Sequence, residues 1–227
     1  MKTWRTLAVV VFVIGVVSFA HVHNLAVGSQ VQRKTISLDD AEPAMAFVAK
    51  YVDSQVDANG KVTITGDQIR YVKADGEWRS VAHRYRRPSD SAGGSGRVSV
   101  YGGTPEGVYE RTGSDSRRYV SESGNPQVDG LYRSGNYLRA HPGFVRTQEL
   151  AGLTVYVHRT EVNDPANPQI WIENGFSAKT GNNPLLVVIH FRDGSEIRSE
   201  AVSVQFTEVS ETLNDDIKSL PIKKKDN

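Results

Sequence analysis

At about Lys61 the hydrophobic period of this chain changes to two, and turn signals become frequent from there to the C-terminus. Runs such as VTI (residues 62–64), QIRYVK (68–73), EWRSVAHRY (77–85), RVSVY (97–101), GVYERT (107–112), LTVYVHR (153–159) and QIWIE (169–173) are rich in β-branched and aromatic residues. Such residues fit a pleated, half-buried surface. Between the runs stand Asp75-Gly76, Gly102-Gly103, Gly113, Gly124-Asn125-Pro126, Gly135-Asn136, Pro142-Gly143 and Asp193-Gly194. Short strands joined by turns, with no helices between them, predict antiparallel pairing. The expected class is mainly β (α+β): a curved antiparallel sheet or incomplete β-barrel packed on one N-terminal amphipathic helix.

That helix is expected over residues 40–55. Ala44, Phe47, Val48, Tyr51, Val52 and Val56 recur at three- and four-residue spacing and would form one apolar stripe. Ser37, Asp39 and Asp40 would supply capping oxygens, Pro43 is tolerable in a first turn, and Asn59-Gly60 would end the helix. The clearest hairpin is LLVVIHFRDGSEIRSEAVSVQF (185–206), where Asp193-Gly194 suits a tight primed turn. Residues 185–189 are apolar on both faces, which predicts a central strand with one face on the helix.

Ahead of this domain, Lys2 and Arg5 precede LAVVVFVIGVVSFA (7–20), an uncharged run of 14 residues followed by His21, His23 and Asn24. A bilayer span needs about 20 apolar residues, so the run reads as a signal peptide with a cut after Ala20 or Gly28, the alternative being an uncleaved anchor. An exported, periplasmic or otherwise extracytoplasmic protein is expected, associated with the membrane if the N-terminal segment is retained. With no cysteine the chain carries neither a lipid-modified cysteine nor disulfides. The 27 basic residues lose Lys2 and Arg5 with the signal, leaving 25 against 26 acidic ones and a net charge of −1. That balance gives no electrostatic case for nucleic acid. The basic block Lys223-Lys224-Lys225 reads as a solvated tail over 223–227.

Reactive motifs are scarce. There is no G-x-S-x-G elbow, and GGSG (93–96) leads into no helix that could present its amides to a phosphate. The segment 86–96 and NDPAN (163–167) read as polar surface loops. Two histidines flank the Pro142-Gly143 turn region, His141 and His158, but no spacing forces them together, and His83 and His190 lie on separate runs. No resident metal or other cofactor is expected. A cut after Ala20 would begin the mature chain His21-Val22-His23, whose amine, amide and imidazole nitrogens can wrap Cu(II) in a square plane.

The last third, QIWIENGFSAKTGNNPLLVVIHFRDGSEIRSEAVSVQFTEVSETLNDDIKSLPI, carries Trp171 on a strand before a loop, then Pro184-Leu185, Asp193-Gly194 and Leu220-Pro221. In this rhythm it resembles the periplasmic lipoprotein-carrier superfamily of the LolA and LolB type, which includes RseB-like stress sensors. The resemblance implies a single half-barrel domain over 37–222 whose concave face is lined by apolar side chains and receives acyl chains or a hydrophobic peptide. Arg84, Arg86-Arg87 and Arg117-Arg118 make the central sheet more polar than that pattern. Large aromatic area on strands makes Trp78, Tyr156, Trp171 and Phe191 the candidate ligand-binding residues. The expected function is a non-enzymatic binding or sensor protein for a hydrophobic or lipid-like ligand. The alternatives are a structural or interaction module with a cell-envelope protein partner and, behind it, a hydrolase with a site assembled from separate strands.

Overall fold

The structure, a computed structural model, describes residues 42–85, 96–105, 107–112, 116–121, 132–133 and 135–222. The signal segment with His21 and His23, the caps Ser37, Asp39 and Asp40, most of the Gly/Ser-rich loop, the Gly124-Asn125-Pro126 turn and the 223–227 tail lie outside the described residues.

The chain runs through β1 (Glu42–Pro43), β2 (Phe47–Val56), β3 (Val62–Val72), β4 (Trp78–Arg84), β5 (Arg97–Thr104), β6 (Gly107–Thr112), β7 (Ser116–Ser121) and β8 (Tyr132–Arg133). A short helix α1 (Gly135–Ala140) leads to β9 (Phe144–Leu150), β10 (Leu153–Glu161), β11 (Gln169–Phe176), β12 (Leu186–Phe191), β13 (Glu196–Phe206) and α2 (Asp215–Lys218). Strands β1 and β8 pair with each other, and the other eleven form one antiparallel sheet in the order β7-β6-β5-β4-β3-β2-β13-β12-β11-β10-β9. Two meanders thus meet where β2 pairs with β13, in a ladder from Phe47–Phe206 to Val56–Glu196. The antiparallel expectation holds.

The expected helix does not. Residues 47–55 lie in strand β2, hydrogen-bonded to β13 on one side and β3 on the other. In FVAKYVDSQV the buried residues Phe47, Ala49 and Tyr51 alternate with Val48, Lys50 and Val52, a period of two. Four-residue spacing is shared by both periods, and the β-branched and aromatic content favours the strand. Two flanking ladders give the strand's backbone donors and acceptors the partners that a lone helix would find internally.

Among the described residues no helix covers residues 185–189 either; β12 is an inner strand whose Ile189 packs with Ile172 and Phe191, while Leu186 and Val188 join the main core. The hairpin after it is a three-residue turn in place of the two-residue primed one. The Phe191 N–H donates to the Ser195 carbonyl at 3.0 Å, and Gly194 adopts φ +80° between them. Asp193 closes the loop by accepting from the Ser195 backbone N–H at 2.9 Å.

The sheet is curled. Strand β9 lies four places from β13 in the order yet comes back into contact with it. One buried cluster draws Phe47, Tyr51, Trp78 and Tyr101 from β2, β4 and β5 together with Leu150, Val155, Leu186 and Val188 from β9, β10 and β12. A flat eleven-stranded sheet could not bring those strands together. A buried bond from the Tyr51 hydroxyl to the Pro184 carbonyl, 3.1 Å, ties the two arms. The C-terminal strap is held by Asn214, fully buried, which donates to Glu77 at 3.1 Å and to the Trp78 carbonyl at 3.0 Å. Among the described residues no helix is long and apolar enough to cross a membrane.

Candidate ligand cavity

Where β9 curls back toward β13, a cavity of about 240 Å³ is lined by Arg146 and Gln148 of β9, Glu173 of β11, Leu186, Val188 and His190 of β12, and Arg198 and Glu200 of β13. Strand alternation places them: residues two apart on one strand share a face, so Leu186, Val188 and His190 point one way, as do Arg198 and Glu200. This lining is mostly polar and charged, whereas the family resemblance implies an apolar one. Only Leu186 and Val188 are apolar, and they are the margin of the main core.

The charges form a connected wall. Glu173, 3% exposed, accepts from Arg146 Nη1 at 2.7 Å and from Arg159 Nη2 at 2.9 Å. The Arg159 guanidinium sits 4.6 Å from the centre of the Trp171 ring, and the His190 ring stands 4.9 Å from the same indole. His190 Nδ1 lies 3.1 Å from Glu196, which accepts in turn from Arg198 Nε at 2.8 Å and Nη2 at 2.5 Å. His190 Nε2 and Trp171 Nε1 are buried without a hydrogen-bond partner among the described residues.

Burial opposes ionisation of Glu173, but the bonds from Arg159 and Arg146 together outweigh it and hold the carboxyl below its ordinary value near 4.5. Burial also pushes the His190 imidazole below its ordinary value near 6.5; Glu196 and Glu173 pull it back up only in part, and Arg159 and Arg198 push it down further. Both groups bind protons less readily folded than unfolded, so both contribute stability at neutral pH that is lost as pH falls. The His190 contribution declines below about pH 6.5 and the Glu173 contribution below about pH 4.5. Acid unfolding of Glu173→Gln is therefore expected to be flatter below pH 4.5 than that of the parent, as read by circular dichroism; identical profiles in that range would refute the ion-pair role of Glu173.

The four residues singled out for ligand contact are dispersed. Trp78 is fully buried in the main core, Tyr156 packs with Leu138 and Phe176, and Phe191 packs with Ile172 and Ile189. Trp171 alone stands in the charged wall beside the cavity. His141 and His158, which no spacing forced together, stack with ring centres 5.0 Å apart and planes 19° from parallel. His83 instead contacts Asp67 at 2.9 Å and His190 contacts Glu196. Among the described residues no group of three or more His, Cys, Asp and Glu side chains is arranged to hold a metal ion.

Sequence reasoning missed Arg146, Glu173, His190, Arg198 and Glu200. The available signal was EIRSE, where Glu196, Arg198 and Glu200 share one face of a strand; the segment reads only as one arm of the hairpin. A second groove, of about 450 Å³, runs between the strap at Val209 and Leu213 and the sheet at Val48, Tyr71 and Val81.

No family model matches the chain, and no curated protein matches it. Among solved structures it is similar to a LolA superfamily protein from Nitrosomonas europaea, at 9% identity and TM-score 0.37, over 78% of this chain and 92% of that one. It is also similar to LprF from Mycobacterium bovis, at 14% identity and TM-score 0.31, over 73% of this chain and 88% of that one. Function has to be argued from this chain's own residues.

Proposed function

We propose that this chain is an extracytoplasmic, non-enzymatic binding protein that seats an amphiphilic, lipid-like ligand in the curl between β9 and β13. The observation that carries the reading is the cavity itself, whose lining joins the apolar Leu186 and Val188 to charged side chains, with Trp171 beside it against the lining residue His190. Its volume lies below the roughly 300–1,000 Å³ of drug-sized sites, which suits one polar head with a short apolar stem and leaves no room for several acyl chains. Against catalysis stands the tuning of its groups. A general acid or base works best with a pKa near the operating pH, whereas Glu173 is held further below it and is tied to two arginines.

Titrating the protein with a fluorescent short-chain fatty-acid analogue is expected to shift tryptophan emission saturably, and Trp171→Ala is expected to remove most of that shift. A saturable shift that survives the substitution would place the ligand elsewhere. The second reading, an interaction module with a cell-envelope protein partner, is favoured by the strap groove, whose Val48, Tyr71, Val81 and Leu213 offer apolar area. It would gain if no apolar probe bound at all.

A further inference from the structure

We infer that the head group taken by this cavity is a zwitterion, a primary ammonium a few bonds from a phosphate or carboxylate; the inference rests on the curl being the ligand site. It comes from counting which charges of the lining are already used. Arg146 spends Nη1 on Glu173 and Nε on Gln148, at 2.7 and 3.2 Å, and has no acceptor for Nη2 among the described residues. Arg198 spends Nε and Nη2 on Glu196 and has none for Nη1. Both arginine side chains are 43% exposed, so these donors can meet a ligand.

Glu200 is the complementary case. It lines the cavity, has no cation or hydrogen-bond donor on its carboxylate among the described residues, and its cross-strand neighbours are Leu186 and Val52. Arg198, two residues away on the same face, is turned toward Glu196 instead. The cavity therefore presents unused cationic donors and one unused carboxylate, the latter on a residue whose backbone lies about 7 Å along the strand from that of Arg198. An anion alone would leave Glu200 facing it unpaired, and a cation alone would leave the two guanidiniums unfilled. A zwitterion satisfies both, with the ammonium on Glu200 and the anionic group on Arg198 and Arg146.

The two sources of such a group are a lipid head and a free small molecule. Calorimetric titration of the full chain with dihexanoyl phosphatidylethanolamine, dihexanoyl phosphatidylglycerol and free phosphoethanolamine separates them. The ethanolamine lipid should bind at least about tenfold more tightly than the glycerol lipid, the usual worth of one charge-assisted contact. Glu200→Gln should abolish that preference, weakening the ethanolamine lipid and, with a like charge removed from the cavity, strengthening the glycerol lipid. Because Glu200 holds no partner, the variant should melt like the parent. Competition by free phosphoethanolamine would identify a soluble zwitterion as sufficient, and its failure while the lipid binds would make the stem necessary. Equal binding of the two lipids, indifferent to Glu200→Gln, would overturn the zwitterion and leave the binding-protein reading standing. Binding of none of the three would remove both.

Discussion

Trp78→Ala is expected to lose roughly 3–5 kcal/mol of stability, the cost of emptying a large aromatic site in a packed core. Trp78 is fully buried, and its indole lies against Gly103 so closely that any side chain there would collide with it. Beneath it the Arg70 guanidinium, in a residue 7% exposed, sits 5.0 Å from the indole and 5.3 Å from the Tyr51 ring. Removing the indole therefore opens a cavity and also strips one aromatic face from a buried cation. For a domain of this size the loss corresponds to a fall in melting temperature on the order of 10 °C, measurable by near-ultraviolet circular dichroism. A variant that melted like the parent but lost the fatty-acid signal would return Trp78 to the ligand role expected from the sequence.

How much was legible follows from which distances along the chain matter. The β12–β13 hairpin could be read because its instruction is local: Asp193 closes the loop through Ser195, and Gly194 supplies the positive φ. The antiparallel meander was legible for the same reason, turn by turn. Strand β2 was not, because its pairing with β13 joins Phe47 to Phe206 and no local signal records that. The cavity is a harder case still. Arg146, Glu173, His190 and Arg198 belong to four strands, and only the curl that returns β9 to β13 assembles them. Their residue types gave no warning, since alternating charges on a strand serve equally well in water. Trp171 was singled out because a large aromatic is informative wherever it sits, although its neighbours Arg159 and His190 carried no such signal.

The most severe prediction concerns β2, where two substitutions separate a strand from a helix. Phe47→Asp would place a carboxylate at a fully buried position whose cross-strand neighbours are Val72 and Phe206, the latter in edge contact at 6.3 Å. Burying an uncompensated charge there is expected to cost roughly 3 kcal/mol or more. Phe47 would be buried in a helix too, so it does not discriminate by itself. Ala49→Asp does. In a helix Ala49 lies off the stripe formed by Phe47, Val48, Tyr51 and Val52, whereas in the strand it is fully buried two residues from Phe47 on the same face. Both aspartates should therefore unfold the domain at similar, much lower denaturant concentrations, and Lys50→Asp, on the exposed side next to Ala49, should change little. The introduced carboxylates should have raised pKa values from burial, so their cost should shrink as pH falls below those values. Urea titrations of the three variants at neutral and mildly acidic pH would show this. An Ala49→Asp protein as stable as the parent would mean that the segment is not this strand, and with it the junction of the two meanders would fail.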